Sequence, residues 1–275
     1  HLPVDNQGAG LPADLTAQLR NLAPSCVDLD VTAARVVYST DDGDDWTEVP
    51  LTLDGESLAG AIPGQPAGTT VMYYLEVDSA DGTTARSPSG GSINPFTYYS
   101  GTLTELYCQD FEDSNGDYTH QLLAGDAIEG ADDWQWGTPI GMGGDPDAAH
   151  SGSRVWGNDL GGGDYNGEYQ NDRHNRLSSP TIDVSGYSHL VLQYRRWLTV
   201  EDGYYDQAQI LANGDEIWDN HASSRSVGDE HHADDQWQLH SIPFYGDDSG
   251  ELVLSWEIIS DRGLSMGGWN IDDVC

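Results

Sequence analysis

Two short acidic runs carry the clearest chemistry in this chain: Cys108-Gln109-Asp110-Phe111-Glu112-Asp113, and Gly268-Trp269-Asn270-Ile271-Asp272-Asp273-Val274-Cys275 at the C-terminus. Each alternates apolar and acidic residues as a strand does. Residues two apart in a strand share a face, so Asp110 and Glu112 are expected to project together. If the two runs are neighbours in one sheet, Asp272 or Asp273 joins them. Converging carboxylates repel unless a cation lies between them, and a hard cation with oxygen ligands means calcium first. Its role would be structural, tying the ends of a domain together. Cys108 and Cys275 would then close a disulfide worth roughly 3–5 kcal/mol in a chain-entropy model. A Cys26–Cys108 bridge is the alternative.

Other constellations are weaker. Glu201, Asp202 and Asp206 lie near Trp197, Tyr204 and Tyr205, as an acid pair beside a stacking platform for glycoside hydrolysis would. With 35 Asp and 12 Glu, such a pair also arises by chance. The Asp229-to-Asp235 segment with His231 and His232 reads as a solvated loop, and no His-Glu-x-x-His occurs. There is no Gly-x-Ser-x-Gly elbow and no phosphate loop. Most tryptophans fall inside strand patterns and read as core. Tyr165, Tyr169, Tyr204 and Tyr205 sit in Gly/Asp-rich stretches and are the candidates for stacking on a sugar.

The elements that must position these residues are strands. Of 275 residues, ten are basic, all arginine, and the net charge is -37, which argues against nucleic acid or anionic membranes as partners. The acidity reads as a solubility device, as cation sites, or as both. No apolar run is long enough to span a membrane. The chain begins at His1, so it is expected to be a mature or excised piece. Residues 1–26 read as a linker or short helix, with Leu11, Leu15, Leu19 and Leu22 on one face. Residues 27–100 read as a small sandwich, with strands at Arg35–Thr40, Trp46–Val49, Ser57–Ile62 and Thr70–Asp78 and a hairpin turn at Asp81-Gly82. Residues 87–104 look like a connection. Residues 105–275 form a second domain, with strands at Leu177–Val184, Leu190–Leu198, Ala208–Ala212, Gln236–Ile242 and Leu252–Ile258. The Gly-rich stretch from Ile140 to Asn175 is long enough to be functional or cation-stabilised.

The runs "VVYSTDDGDDW" and "AIPGQPAGTTVMYYLEVDSADG" resemble bacterial fibronectin type III or immunoglobulin-like modules. The second domain resembles MAM-type jelly rolls, closest to those at the C-terminus of immune-inhibitor-A-like secreted metalloproteases. The matching blocks are "CQDFED", "DDWQWG", "AHSGSRVWGNDL", "LSSPTIDVSGYSHLVLQYRRW", "EDGYYDQAQI" and "GGWNIDDV". The resemblance implies an all-β chain, an Ig-like/fibronectin-like sandwich followed by a MAM-like (concanavalin-like) jelly-roll sandwich. It also implies a cation site near the first and last strands. Carried over by residue, Asp110 and Glu112 match the "DFE" acids, Asp133 the acid before the tryptophan, and Asp272 or Asp273 the "IDD" acids. The second cysteine that vertebrate MAM domains place soon after the first is missing, so their usual pairing and homophilic adhesion do not carry over. The expectation is a non-catalytic, calcium-stabilised accessory region of a secreted hydrolase, with a catalytic domain upstream and an extracellular protein or glycan as partner. A carbohydrate-binding module and a structural or adhesive surface protein are the alternatives.

Overall fold

Alternation of apolar and polar residues dictates this architecture, and almost every element is a strand in an antiparallel sheet. The computed structural model describes residues 1–20, 30–163, 166–225 and 230–275; Leu22, Cys26, Tyr165 and Asp229 lie outside the described residues. The chain divides into two compact units, His1–Thr104 and Glu105–Cys275.

The first unit contains β1 (Ala13–Gln18), β2 (Val31–Ser39), β3 (Thr47–Pro50), β4 (Thr52–Asp54), β5 (Ser57–Ile62), β6 (Thr69–Ser79), β7 (Thr84–Ser87) and β8 (Phe96–Ser100). One sheet runs β1-β5-β4; the other runs β3-β2-β6-β7, with β8 also on β6. Their inner faces share one core of Leu15, Val36, Ile62, Val71, Tyr73, Leu75, Phe96 and Tyr98. The hairpin turn at Asp81-Gly82 links β6 to β7, with Gly82 at φ +85°, where a side chain would be strained.

Two expectations are corrected here. Among the described residues, no helix forms at the N-terminus. Ala13 and Leu15 are buried while Asp14 and Thr16 are exposed, a period of two, and β5 supplies backbone partners from Ala13↔Ile62 to Gln18↔Ser57. Leu11, which a helical face would have buried, is exposed. Nor are the first residues a linker, because Val4 N donates to Tyr73 Oη at 2.9 Å and His1 Nδ1 bonds Thr16 O at 2.7 Å. The supposed connection at 87–104 holds β8, which buries Phe96 and Tyr98 beside β6.

The second unit contains β9 (Thr119–Ala124), β10 (Trp134–Gly137), β11 (Val155–Asn158), β12 (His174–Ser178), β13 (Ile182–Asp183), β14 (His189–Val200) and β15 (Gln207–Ala212). It continues with β16 (Asp215–Asp219), β17 (His232–Ala233), β18 (Gln238–Tyr245), β19 (Glu251–Leu252), β20 (Leu254–Ile259) and β21 (Gly268–Asp272). One sheet runs β10-β11-β21-β14-β17 with β18 also on β14; the other runs β16-β15-β20-β12-β9. Between them lies a core in which Tyr194, Trp256 and Trp269 are fully buried. Tyr194 meets Trp256 edge-on at 5.7 Å between centroids, a favoured aromatic geometry. β14 is the organising strand: its alternate residues from Leu190 to Leu198 are buried, and it pairs with both β18 and β21.

The expected strand Leu177–Val184 is broken into β12 and β13, which belong to different sheets. Pro180 between them has no N–H to continue a ladder. The long stretch from Ile140 to Asn175 is not one loop, since β11 crosses it and pairs with β10 and β21.

Candidate functional site

The bracketing acids do come to one end of the second unit, but in a different way from two adjacent strands. Cys108 and Cys275 form a disulfide across 167 positions, and Gln109 pairs with Val274 as an isolated bridge. Beyond that bridge the chain turns. Phe111 is buried at φ +60°, its N–H donating to Gln109 Oε1 at 2.9 Å, and Glu112 N donates to Asp110 Oδ1 at 3.2 Å. Asp110 is left exposed, and Asp110 and Glu112 do not share a strand face.

The acids meet donors instead. The segment 150–154 lies between the two runs. Ser153 N and Arg154 N donate to Glu112 Oε1 at 2.8 and 2.7 Å. Ser151 N donates to Asp272 Oδ2 at 3.0 Å, and Ser151 Oγ and His150 Nδ1 contact Asp273 at 2.8 Å each. Gly152 lets this segment approach: it sits at φ +55°, and a Cβ there would lie 2.1 Å from Glu112 Cδ. The backbone N–H groups of Ser153 and Arg154 hold the Glu112 carboxyl below its usual range, and the His150 bond does the same for Asp273. Asp272 is fully buried, and burial pushes it up to about 7 against the Ser151 and Asp273 N–H groups. Asp133 is also buried. It accepts from Asn158 Nδ2, Asn175 Nδ2 and Gln170 N at 2.9–3.0 Å, and burial still raises it to about 6. Among these predicted ligands, every oxygen of Glu112, Asp133, Asp272 and Asp273 already faces a hydrogen-bond partner, a weaker fit to a shared cation than open oxygens would give.

A tighter carboxylate cluster lies elsewhere. One oxygen each from Glu201, Asp206 and Asp261 falls within 4.8 Å of the others, the sole such group of three metal-ligating side chains among the described residues. Glu201 follows β14, Asp206 precedes β15, and Asp261 follows β20. The register Gln207↔Ile259 brings the last two together. Tyr169 Oη donates to Asp206 Oδ2 at 2.6 Å, and Asp261 N donates to Asp206 Oδ1 at 2.7 Å. Burial raises the Asp206 carboxyl even so. Both Asp206 oxygens already face donors, as those of the bracketing acids do; what marks this cluster for a calcium ion, with its six to eight oxygens at about 2.3–2.6 Å, is the approach of three carboxylates, with carbonyls and water for the rest. Asp202 is not part of this group. It is buried and ties a loop, accepting from Tyr204 N, Ser223 N and Glu230 N at 2.8–2.9 Å. Although burial opposes its ionisation, these donors bring it down to about 2.

Sequence reasoning paired Glu201 with Asp206 but missed Asp261, whose place depends on strand pairing that no local pattern reveals. Of the candidate stacking residues, Tyr169 is corrected: it is buried, and its hydroxyl serves Asp206. Tyr204 is exposed, but its ring meets Tyr205 at 84°, so the pair offers no flat platform. Tyr165 lies outside the described residues. His232, expected in a solvated loop, is buried beside Asp234 and Trp218.

No family model matches the chain. Bacillopeptidase F of Bacillus subtilis (strain 168) is 25% identical over 274 residues, which take in 98% of this chain and 17% of that protein. The chain thus spans about a sixth of the length of this curated relative, whose name marks it as a peptidase. Among solved structures, the K1 cleaved adhesin domain of Lys-gingipain from Porphyromonas gingivalis W83 aligns with 61% of this chain and 95% of its own, at 12% identity and a TM-score of 0.38. The secreted serine protease VesC from Vibrio cholerae aligns with 98% of this chain and 48% of its own, at 8% identity and a TM-score of 0.28. Likenesses this distant fix no function. Among the described residues, no helix is long and apolar enough to cross a membrane.

Proposed function

We propose that this chain is a non-catalytic, calcium-stabilised accessory region of an extracellular protein that also carries a peptidase domain. The observation that carries the calcium reading is the convergence of Glu201, Asp206 and Asp261 within 4.8 Å at the junction of three strand ends. A divalent ion there ties β14, β15 and β20 together and offsets the repulsion of three acids. The accessory reading draws on the relative, because nearly all of this chain aligns with a small part of a bacillopeptidase. A disulfide suits an oxidising, extracellular compartment. In this reading the first unit is a fibronectin/Ig-like spacer and the second a MAM-like jelly roll, and the partner is an extracellular protein or glycan.

Incubation of the purified chain with denatured protein and with polysaccharides, alongside equilibrium dialysis against calcium in excess magnesium, tests the proposal. Retained calcium with no bond cleavage is the expected result. Hydrolysis of either substrate, or no calcium retained, overturns it.

A further inference from the structure

A second cluster of oxygens lies along the sheet that holds β10, β11 and β21 and is built from residues assigned no role above. Asp145 lies between β10 and β11, Asp159 directly follows β11, and Asn270 is central in β21. They are 6%, 1% and 0% exposed. Asp145 Oδ2, Asp159 Oδ2 and Asn270 Oδ1 each lack any hydrogen-bond partner. A buried polar atom left unsatisfied costs about 1–3 kcal/mol, and more when charged. Asp145 Oδ2 and Asp159 Oδ2 belong to buried carboxylates and call for a positive partner, whereas the Asn270 oxygen as placed points toward Gly157. Among the described residues no arginine or histidine forms an ion pair with Asp145 or Asp159.

The topology brings them together. β11 pairs with β21 at Gly157↔Asn270, which carries Asp159 to the start of β21. Asn270 Nδ2 donates to Asp145 Oδ1 at 2.6 Å. Gly267 keeps the spot open, since a Cβ there would stand 2.4 Å from Asp145 Oδ1 and 2.7 Å from Thr199 Oγ1. Asp159 Oδ1 accepts from Gly161 N at 3.1 Å; the Gly167 and Asn166 N–H groups face the same carboxyl, but none closes a hydrogen bond to Oδ2.

We infer that Asp145, Asp159 and the Asn270 side-chain amide form a calcium site of their own, separate from the Glu201–Asp206–Asp261 cluster. The inference rests on the calcium-stabilised reading only for the choice of ion. Rotation of the Asn270 amide by a half turn presents its oxygen where its nitrogen now meets Asp145. Two carboxylates and one amide oxygen leave the remaining calcium positions to carbonyls and water.

Isothermal titration of the full 275-residue chain with calcium, after chelation and at pH 7, tests this. The wild type is expected to bind two ions. Asp145→Asn and Asp159→Asn, each nearly isosteric, are each expected to lose one ion and keep the other. Asp261→Asn reports on the other cluster alone, so failure of either site is separately visible. Unchanged stoichiometry in folded Asp145→Asn or Asp159→Asn overturns the inference. If neither variant folds, a calcium-soaked crystal of the wild type decides, and absence of an ion between Asp145 and Asp159 overturns it.

Discussion

Arg196 donates from Nε to Asp234 Oδ2 at 2.9 Å, and both side chains are sealed inside the second unit. Asp234 also accepts from Leu198 N at 3.0 Å and from Gln238 Nε2 at 2.8 Å, so the pair pins β14 to the segment that leads from β17 into β18. Burial opposes ionisation of Asp234, but the Arg196 charge outweighs it and holds the carboxyl far below its usual range. Breaking a buried pair by removing one partner leaves the other charge uncompensated. Asp234→Asn is therefore expected to destabilise the second unit by about 3–5 kcal/mol, read as a shift in urea midpoint at unchanged slope. A loss below about 1 kcal/mol, the level of an exposed pair, would contradict the role given to it.

The same cluster makes stability acid-sensitive. His240 Nδ1 faces Tyr194 Oη at 2.9 Å and Arg196 Nη1 at 3.3 Å. Arg196 can only donate, so this nitrogen must carry its lone pair, and the ring is neutral. Burial, and then the Arg196 charge, lower the pKa of both His232 and His240. A histidine depressed on folding binds more protons unfolded, so stability is full above its unfolded pKa of about 6.5 and falls as pH drops below that value. The raised carboxyls of Asp133 and Asp272 act in the opposite direction, binding protons in the folded state, so the histidine contribution is read against a variant. Urea unfolding at pH 7.5 and pH 5.5 is compared in the wild type and in His240→Gln, which keeps an acceptor but cannot titrate; relative to the wild type the variant should favour the lower pH, and an unchanged pH difference rules His240 out as a source.

The Cys108–Cys275 disulfide closes nearly the whole second unit, across 167 positions. A loop of that size corresponds to about 5 kcal/mol in the chain-entropy model. Reduction, or the Cys108→Ser/Cys275→Ser pair, should lower the melting temperature of this unit by at least about 5 °C. The strand pairing of Gln193 with Cys275, at 2.7 and 2.9 Å, should still hold the end in register. An unmoved melting temperature would mean that the unfolded chain gains nothing from release of its ends.

Gly152→Ala tests the donor segment that meets the bracketing acids. The backbone sits at φ +55°, and the new methyl would collide with the Glu112 carboxyl carbon. Positive φ for a residue with a Cβ costs about 1–3 kcal/mol, and displacement of Glu112 adds the loss of its N–H partners. The variant should lose stability, measured by the denaturant midpoint. A neutral outcome would remove Glu112 from its seat at Ser153 and Arg154.

Much of the strand framework was legible because burial has a period of two. β14 follows from the alternation of Leu190–Leu198 alone, and Ser57–Ile62 was also read as a strand although its burial alternates only in part. β1 was misread because Leu11, Leu15 and Leu19 also fit a helix, and only the partner strand Ser57–Ile62 decides between them. β8 was hidden by its Gly, Ser and Pro neighbours although Phe96 and Tyr98 alternate. The acids at both ends of the second unit were found, but not that residues 150–154 would offer them N–H and O–H groups. Asp261, Asp145 and Asp159 gave no local signal among 35 aspartates; strand pairing alone distinguishes them from solvated ones.

The most direct measurement is thermal unfolding of the whole chain in excess calcium and in EDTA at matched ionic strength. An ion at about a hundred times its dissociation constant adds roughly 2.7 kcal/mol. For a unit this size that is a rise of about 5–10 °C in melting temperature. The account predicts such a rise for calcium and not for magnesium, reduced in Asp261→Asn. Identical melting in calcium and EDTA would contradict calcium stabilisation.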